Sequence, residues 1–239
     1  MGFMADEDFD IRSLADYLHV DPAQIGRLAD RAKLPGRKVG GQWRFSRSEI
    51  HHWLESKIGL SGEGELVEME HALRRADAPD AARSISIASM LHLDAIEIPL
   101  QARTRGRVVE RMTSLASRTG LLWDTEKMAD AVRAREDMHP TAIDSGVALL
   151  HPRRPMADIL GEAVMALGVT GKGVPFGGSR LTDVFFLICS VEDQGHLRVL
   201  ARLSRLIGSA DFLGELRRAP DARTAHDLIS AREAELEGE

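Results

Sequence analysis

Cysteine is nearly absent: Cys189 is the single thiol in 239 residues. One thiol excludes an internal disulfide framework and fits a reducing compartment, so a cytoplasmic location is expected. Long apolar runs are missing too. The longest, Val184 to Cys189, falls far short of a membrane span, which takes about 20 residues, so no membrane insertion is expected. The opening Met1-Gly-Phe-Met-Ala-Asp-Glu-Asp is acidic, lacks an apolar core and does not read as a secretory signal. No internal repeat or low-complexity segment occurs. Metal-ligand spacing is also lacking. His51 and His52 point to different sides of a helix, and His139, His151 and His196 carry no zinc signature. No metal and no cofactor is expected.

What is present begins with an uneven charge. Hydrophobic content of 44% is ordinary for a globular protein, and the length allows two domains or one large one. The net charge of −6 conceals a basic head on an acidic body. Residues 11–57 hold nine Lys/Arg against five Asp/Glu, whereas the chain from Ile58 onward holds 22 against 28. Such a division points to a nucleic-acid-binding module joined to something else, or to a solvated charged face.

In the head, Ile11, Leu14, Ala15 and Leu18 recur at helical spacing. Asp21 then caps a second helix that opens on Pro22 and runs to Ala32, with Ile25, Leu28, Ala29 and Ala32 as its apolar face. Two short helices joined by about three residues form a helix-turn-helix pattern. Gly40-Gly41 supplies the positive φ of a two-residue hairpin between Lys38-Val39 and Gln42-Trp43-Arg44. Ser46-x-x-Glu49 is a capping box for a third helix with Ile50, Trp53 and Leu54 inward. On Leu14-Ala15-x-Tyr17-Leu18, Leu34-Pro35, Val39-Gly40, Trp43-Arg44-Phe45 and Trp53-Leu54, residues 11–57 resemble the excisionase/MerR-like winged helix-turn-helix family. The resemblance implies double-stranded DNA as a partner. Gln24 and Arg27 are then the base-reading candidates, and Arg31, Lys38 and Arg44 the phosphate contacts.

The domain boundaries expected are 1–57 for the head, 58–84 for a glycine-bearing linker and 85–239 for the rest. Leu66, Met69 and Leu73 are spaced for one short amphipathic helix within the linker, either dimerising or packed back on its own domain. Beyond Ser84 the pattern turns α/β. Ala95 to Leu100 reads as a strand, Val108 to Ala116 as the core of a helix entered at Thr104 or Gly106, and a second helix capped at Asp124 or Thr125 ends at Arg135. Ala163 to Val169 and the all-apolar Leu181 to Ser190 read as strands, with Gly171 to Gly178 a mobile loop between them. His196 to Ile207, Asp211 to Arg218 and Thr224 to Leu236 close the chain as helices.

Within this part, Arg135-Glu136 ends a helix, a turn follows with Thr141 and Asp144-Ser145-Gly146, and the strand Val147 to Leu150 delivers His151 at its carboxyl end. In open α/β sheets ligands and reactive groups gather at that end. Read alone, His151 is more often a satisfied structural histidine, Arg135 a helix-terminal charge and His196 a capping residue. Together, Arg135, Glu136, Thr141, Gly146 and His151, with the later Gly195-His196-Leu-x-x-Leu200-x-x-Leu203, resemble the enzyme IIA domains of the bacterial phosphotransferase system. The branch is the fructose/mannitol type, including its nitrogen-regulatory members. The resemblance covers about residues 86–235. It departs at Leu150, where the family usually has Pro, and at Asp144-Ser145, where it usually has Gly-Asn.

The fold implied is a winged helix-turn-helix followed by a mixed-sheet α/β/α sandwich. The chemistry implied is phosphoryl acceptance on His151, with His196 and Thr141 as donors to the phosphoryl oxygens and Arg135 as a clamp. No Walker loop or aspartate-based magnesium motif occurs, so the implied donor is a phosphorylated histidine carrier protein rather than ATP. Three readings stay open. One is a DNA-binding regulator, as a monomer or a homodimer, adjusted through the IIA-like domain. Another is a phosphocarrier passing phosphate to a IIB transport partner. The last is a phosphorylation-silent scaffold. Cys189, in an apolar strand, reads as inert packing.

Overall fold

The computed structural model describes residues 8–18, 21–46, 49–50, 53–54, 85–177 and 180–238. It divides into two compact units, Met1–Ser84 and Ile85–Glu239. His51, His52 and the expected linker helix lie outside the described residues.

In the first unit, helices α1 (Ile11–Leu18) and α2 (Pro22–Asp30) precede a hairpin of β1 (Arg37–Val39) and β2 (Gln42–Arg44). Asp21 accepts from the Ala23 amide and Pro22 opens α2, as the sequence predicts. α2 stops at Asp30 rather than Ala32. Ala32 takes φ 52° and is exposed, in the left-handed position that ends a helix. Gly40 and Gly41 both have positive φ, 58° and 80°, across the Val39–Gln42 pair. That is the geometry of the two-residue primed turn. Phe45 is fully buried in this unit, as are Ile25, Ile50 and Leu14. Gly36 is required there, because a Cβ would stand 2.6 Å from the Phe45 ring.

The second unit is built on a four-stranded sheet in the order β3-β5-β6-β4. Its strands are β3 (Ile96–Glu97), β4 (Val147–Leu150), β5 (Val164–Val174) and β6 (Thr182–Cys189). β5 and β6 are antiparallel, while β3 joins β5 and β4 joins β6 in parallel, so the sheet is mixed. Its central strands are buried along most of their length, as the unbroken apolar runs require. One face packs on α4 (Arg105–Ser117) and α5 (Thr125–Met138) through Val108, Met112, Leu115, Met128 and Val132. Residues alternate across a strand, so Met165, Leu167, Phe186 and Ile188 serve the second face, and all are buried. Helices α3 (Ile87–Met90), α6 (Asp193–Ile207), α7 (Ala210–Arg218) and α8 (Ala222–Gly238) pack with one another, and α3 also reaches β5.

Several boundaries differ from those expected. β3 is shorter than Ala95 to Leu100, because a 3-10 turn occupies Leu93–Ala95 and Pro99 has no N–H to continue a ladder. β5 runs on to Val174, pairing with Thr182 across an irregular stretch, so Gly171 to Val174 are strand and not loop. α5 passes Arg135 and ends at Met138. His139, extended at φ −163° and ψ 120°, precedes Pro140, and the residue before a proline is driven out of helical geometry. α6 begins at Asp193 rather than His196.

A buried carboxylate closes the unit. Glu233 on α8 accepts from Ser86 Oγ at 2.9 Å, Ile87 N at 2.6 Å and Ala88 N at 2.9 Å, and Arg202 of α6 lies 3.5 Å away. The first turn of α3 is thereby capped by a residue near the far end of the chain. Removing one member of a buried, hydrogen-bonded pair costs about 3–5 kcal/mol. Glu233→Ala therefore lowers stability by about 3 kcal/mol, read as faster hydrogen exchange of the β5 and β6 core amides. Glu235→Ala, at the exposed Arg232 pair, leaves that exchange nearly unchanged.

Candidate functional site

The parallel register of β4 and β6, Leu150 against Leu187, brings two carboxyl ends out side by side. His151 follows the first and Ser190 the second, and the helix after Ser190 returns His196 to the same place. The two imidazoles are buried, 2% and 3% exposed. Their ring centroids stand 5.0 Å apart with the planes tilted by 54°.

The tautomer of His151 follows from its partner. Nδ1 lies 2.8 Å from the Leu149 carbonyl oxygen. A carbonyl only accepts, so Nδ1 carries the hydrogen and the neutral ring keeps its lone pair on Nε2. For His196, Nδ1 lies 3.0 Å from Ser190 Oγ, a group that can donate or accept. The Nε2 atoms of both rings are enclosed by protein.

Arg135 and Glu136, on the last turns of α5, are also buried, and Glu136 is within electrostatic reach of His151. Arg135 donates from Nη1 to the His139 carbonyl at 2.7 Å. Glu136 receives the Thr141 amide at 3.2 Å and the Thr141 hydroxyl, with Arg105 Nη2 at 3.8 Å. Thr141 is thus brought to the site with its hydroxyl directed at Glu136. Burial pushes the Glu136 carboxyl above its ordinary value, while the Thr141 hydrogen bonds, Arg105 and the nearby His151 pull it down without reversing the shift. Two contributors carry no sequence signal of the kind read above. Arg105 opens α4 with no motif around it, and Ser190 is a small polar residue at a strand end.

At the other end of β4, Gly146 has φ 83°, and a Cβ there would stand 3.0 Å from Arg217 Nη2. Arg217 of α7 makes a bidentate pair with Asp183 and donates to the Ser145 carbonyl, fixing the turn before β4. His139 is exposed. The Cys189 thiol is buried and desolvation pushes it up to about 12, so it is not a nucleophile near neutral pH. Among the described residues, no group of three or more His, Cys, Asp or Glu could hold a metal ion. Among them also, no helix is long and apolar enough to cross a membrane.

In the first unit, Gln24, Arg27 and Arg31 are exposed along one stripe of α2, opposite buried Ile25 and Ala29. Lys38 lies 5.0 Å over the Trp43 ring and 3.8 Å from Asp30, and Trp43 Nε1 donates to Asp30 at 3.3 Å. Arg44 donates to the Gln42 side chain at 3.3 Å. The hairpin cations are thus partly engaged within the head, while the α2 stripe is presented outward.

Residues 89–232 match the family described as phosphoenolpyruvate-dependent sugar phosphotransferase system, EIIA 2. The chain belongs to that family. Residues 9–58 match a helix-turn-helix domain family. Among curated proteins, the chain is 24% identical over 150 residues to the fructose-specific EIIABC component of Bacillus subtilis, covering 61% of this chain and 23% of that protein. It is 24% identical over 127 residues to a nitrogen regulatory protein of Pseudomonas aeruginosa, covering 53% and 82%. Among solved structures, the nitrogen regulatory protein IIA-Ntr of Neisseria meningitidis superposes with a TM-score of 0.54 at 22% identity, covering 60% of this chain and 98% of that one. The chain spans under a quarter of the length of the Bacillus subtilis relative. The EIIA domain carries an additional helix-turn-helix domain here.

The raised pKa of Glu136 gives a pH prediction. The folded state holds this proton more tightly than the unfolded one, so the contribution is present below the ordinary value of 4.5 and is lost as pH rises through the folded pKa. Glu136→Gln retains an acceptor for Thr141 and removes the titration. The stability of wild type relative to Glu136→Gln therefore falls as pH rises from about 4.5 toward neutrality, measured by hydrogen exchange of β4 and β6 amides across a pH series.

Proposed function

We propose that this protein is a cytoplasmic DNA-binding regulator whose EIIA domain is adjusted by phosphorylation of His151, with a phosphorylated histidine carrier protein as donor. The observation that carries the reading is the orientation of His151, whose Nδ1–H is anchored on the Leu149 carbonyl with His196 beside it. The Nε2 lone pair of His151 attacks phosphorus as the N–P bond of the donor's protonated phosphohistidine breaks. The bonding pair returns to the donor ring, which leaves neutral. The positive ring charge passes to His151, where the Leu149 carbonyl faces the Nδ1 proton. Arg135 is the proposed cation for the phosphoryl oxygens.

The exposed α2 stripe favours the regulator over a dedicated phosphocarrier delivering to a IIB partner. Gln24 and Arg27 read base edges in the major groove, and Arg31, Lys38 and Arg44 hold phosphates. One small head offers few contacts, so a homodimer on two half-sites is part of the proposal, with residues 58–84 as the linker between separable domains.

Incubation with phosphorylated carrier protein, followed by mass spectrometry for acid-labile phosphate, places one phosphoryl group on His151. His151→Ala abolishes the labelling and Arg135→Ala slows it by at least about tenfold, the loss of one charge-assisted hydrogen bond. Undiminished labelling of His151→Ala ends the reading. Selection from random duplex DNA with the full-length protein enriches a defined site. On it, Arg27→Ala costs about 1–3 kcal/mol and relaxes one base position. Arg31→Ala weakens all sequences alike and reduces the salt slope by about one unit. With no enriched sequence, the head is a protein-contact module.

A further inference from the structure

The two site histidines differ in how their tautomers are set. His151 is locked, because its Nδ1 faces a backbone carbonyl that only accepts. His196 is not, because its Nδ1 faces the Ser190 hydroxyl at 3.0 Å, and a hydroxyl rotor can turn its hydrogen toward the ring or away from it. Both Ser190 and His196 are buried, 3% exposed each, so solvent does not compete for this contact.

We infer that Ser190 is a positioning residue for His196: by donating its hydroxyl hydrogen to Nδ1, it holds the Nε2–H tautomer that offers a hydrogen to a phosphoryl group on His151. The inference rests on the proposed phosphorylation of His151. When the Ser190 hydroxyl donates to Nδ1, the proton of neutral His196 must sit on Nε2, and the ring is a donor on that side. When the hydroxyl turns and accepts from Nδ1–H, Nε2 carries a lone pair. A phosphoryl oxygen opposite that lone pair is repelled, whereas one opposite Nε2–H is held by a charge-assisted hydrogen bond. The hydroxyl can face either neutral tautomer, so holding the Nε2–H form needs no charged ring in a buried site, where a new charge is costly.

The placement of Ser190 comes from the sheet. It is the first residue beyond β6, and its carbonyl is tied down by the Met156 amide at 3.1 Å. The backbone is therefore fixed while the hydroxyl is free to rotate. His196 sits in the first turn of α6, its amide bonded to the Glu192 carbonyl at 3.1 Å. With both backbones anchored, the remaining adjustable element of the contact is the hydroxyl hydrogen.

The test reads the tautomer directly. Nitrogen-15 imidazole shifts of His196 are recorded on the full-length protein before and after phosphorylation, for wild type, Ser190→Ala and Ser190→Thr. Expected for wild type is an Nε2–H ring in the phosphorylated state with its Nδ1 shifted by an accepted hydrogen bond. In Ser190→Ala the Nδ1 resonance moves to the position of a nitrogen without that bond, and the phosphohistidine half-life shortens about tenfold. Ser190→Thr, which keeps the hydroxyl, restores both. An Nδ1–H ring in the phosphorylated wild type, or His196 shifts that Ser190→Ala leaves unmoved, overturns the inference. The Nδ1 shift is also read in the unphosphorylated protein. If His151 takes no phosphate, the proposed function fails on its own, while the Ser190–His196 contact is still judged by whether the alanine variant moves that resonance.

Discussion

The parallel pairing of β4 with β6 is the constraint from which the candidate site follows. Parallel strands end on the same edge of a sheet, so whatever follows each of them meets there. Here the continuation of β4 is His151, and that of β6 is Ser190 and the turn into α6 that returns His196. A one-residue slip of β4 would reverse the faces of Val147 to Leu150 and turn His151 away. Burial forbids the slip: Ala148 and Leu150 pack with α4 and α5, and Val147 and Leu149 are covered on the other face. The hydrophobic core and the ring geometry are two consequences of one register.

The same short strand is held from its far end. The turn before β4 carries Gly146 in the left-handed region, and Arg217 ties its Ser145 carbonyl to Asp183. Asp183 N in turn donates to the Gly146 carbonyl at 2.9 Å. Polar contacts fix the entry to β4, apolar packing fixes its length, and its exit residue inherits the precision of both. The usual glycine at the first place of this turn is not needed here. The positive φ falls on Gly146, and Asp144 and Ser145 are exposed.

Legibility in the sequence tracked the range of the interaction responsible. Local signals were sufficient where the cause was local: Asp21, Thr104 and Asp124 cap their helices, and Gly40-Gly41 turns the hairpin. The apolar runs of β4 and β6 stood out because both their faces are buried. Ends set by distant partners did not. β5 continues past Val169 because Val174 finds Thr182, and Gly171 and Gly173 had suggested a loop. At the site, the resemblance supplied His151 and His196. It could not supply Ser190 or Arg105, whose roles arise only when β6, α4 and α6 are brought together.

Charge at the buried end of α5 bears on what a phosphoryl group would do. Phosphorylation adds roughly −1.5 to −2 charge, and in the proposed reaction it would arrive where Nε2 of His151 is enclosed. Arg135, proposed to meet that charge, holds the His139 carbonyl through Nη1 of the same guanidinium, so any movement toward the phosphoryl group strains that bond. Glu136 is a like charge close to His151, and burial has already raised its pKa. A neighbouring dianion raises it further and favours the protonated acid, which removes the repulsion. A neutral Glu136 is a weaker acceptor for the Thr141 amide and hydroxyl, and weaker bonds there loosen residues 139–141 from the end of α5. Both responses act on the same three-residue segment, so the chemistry proposed at His151 would be transmitted first to the chain between α5 and β4.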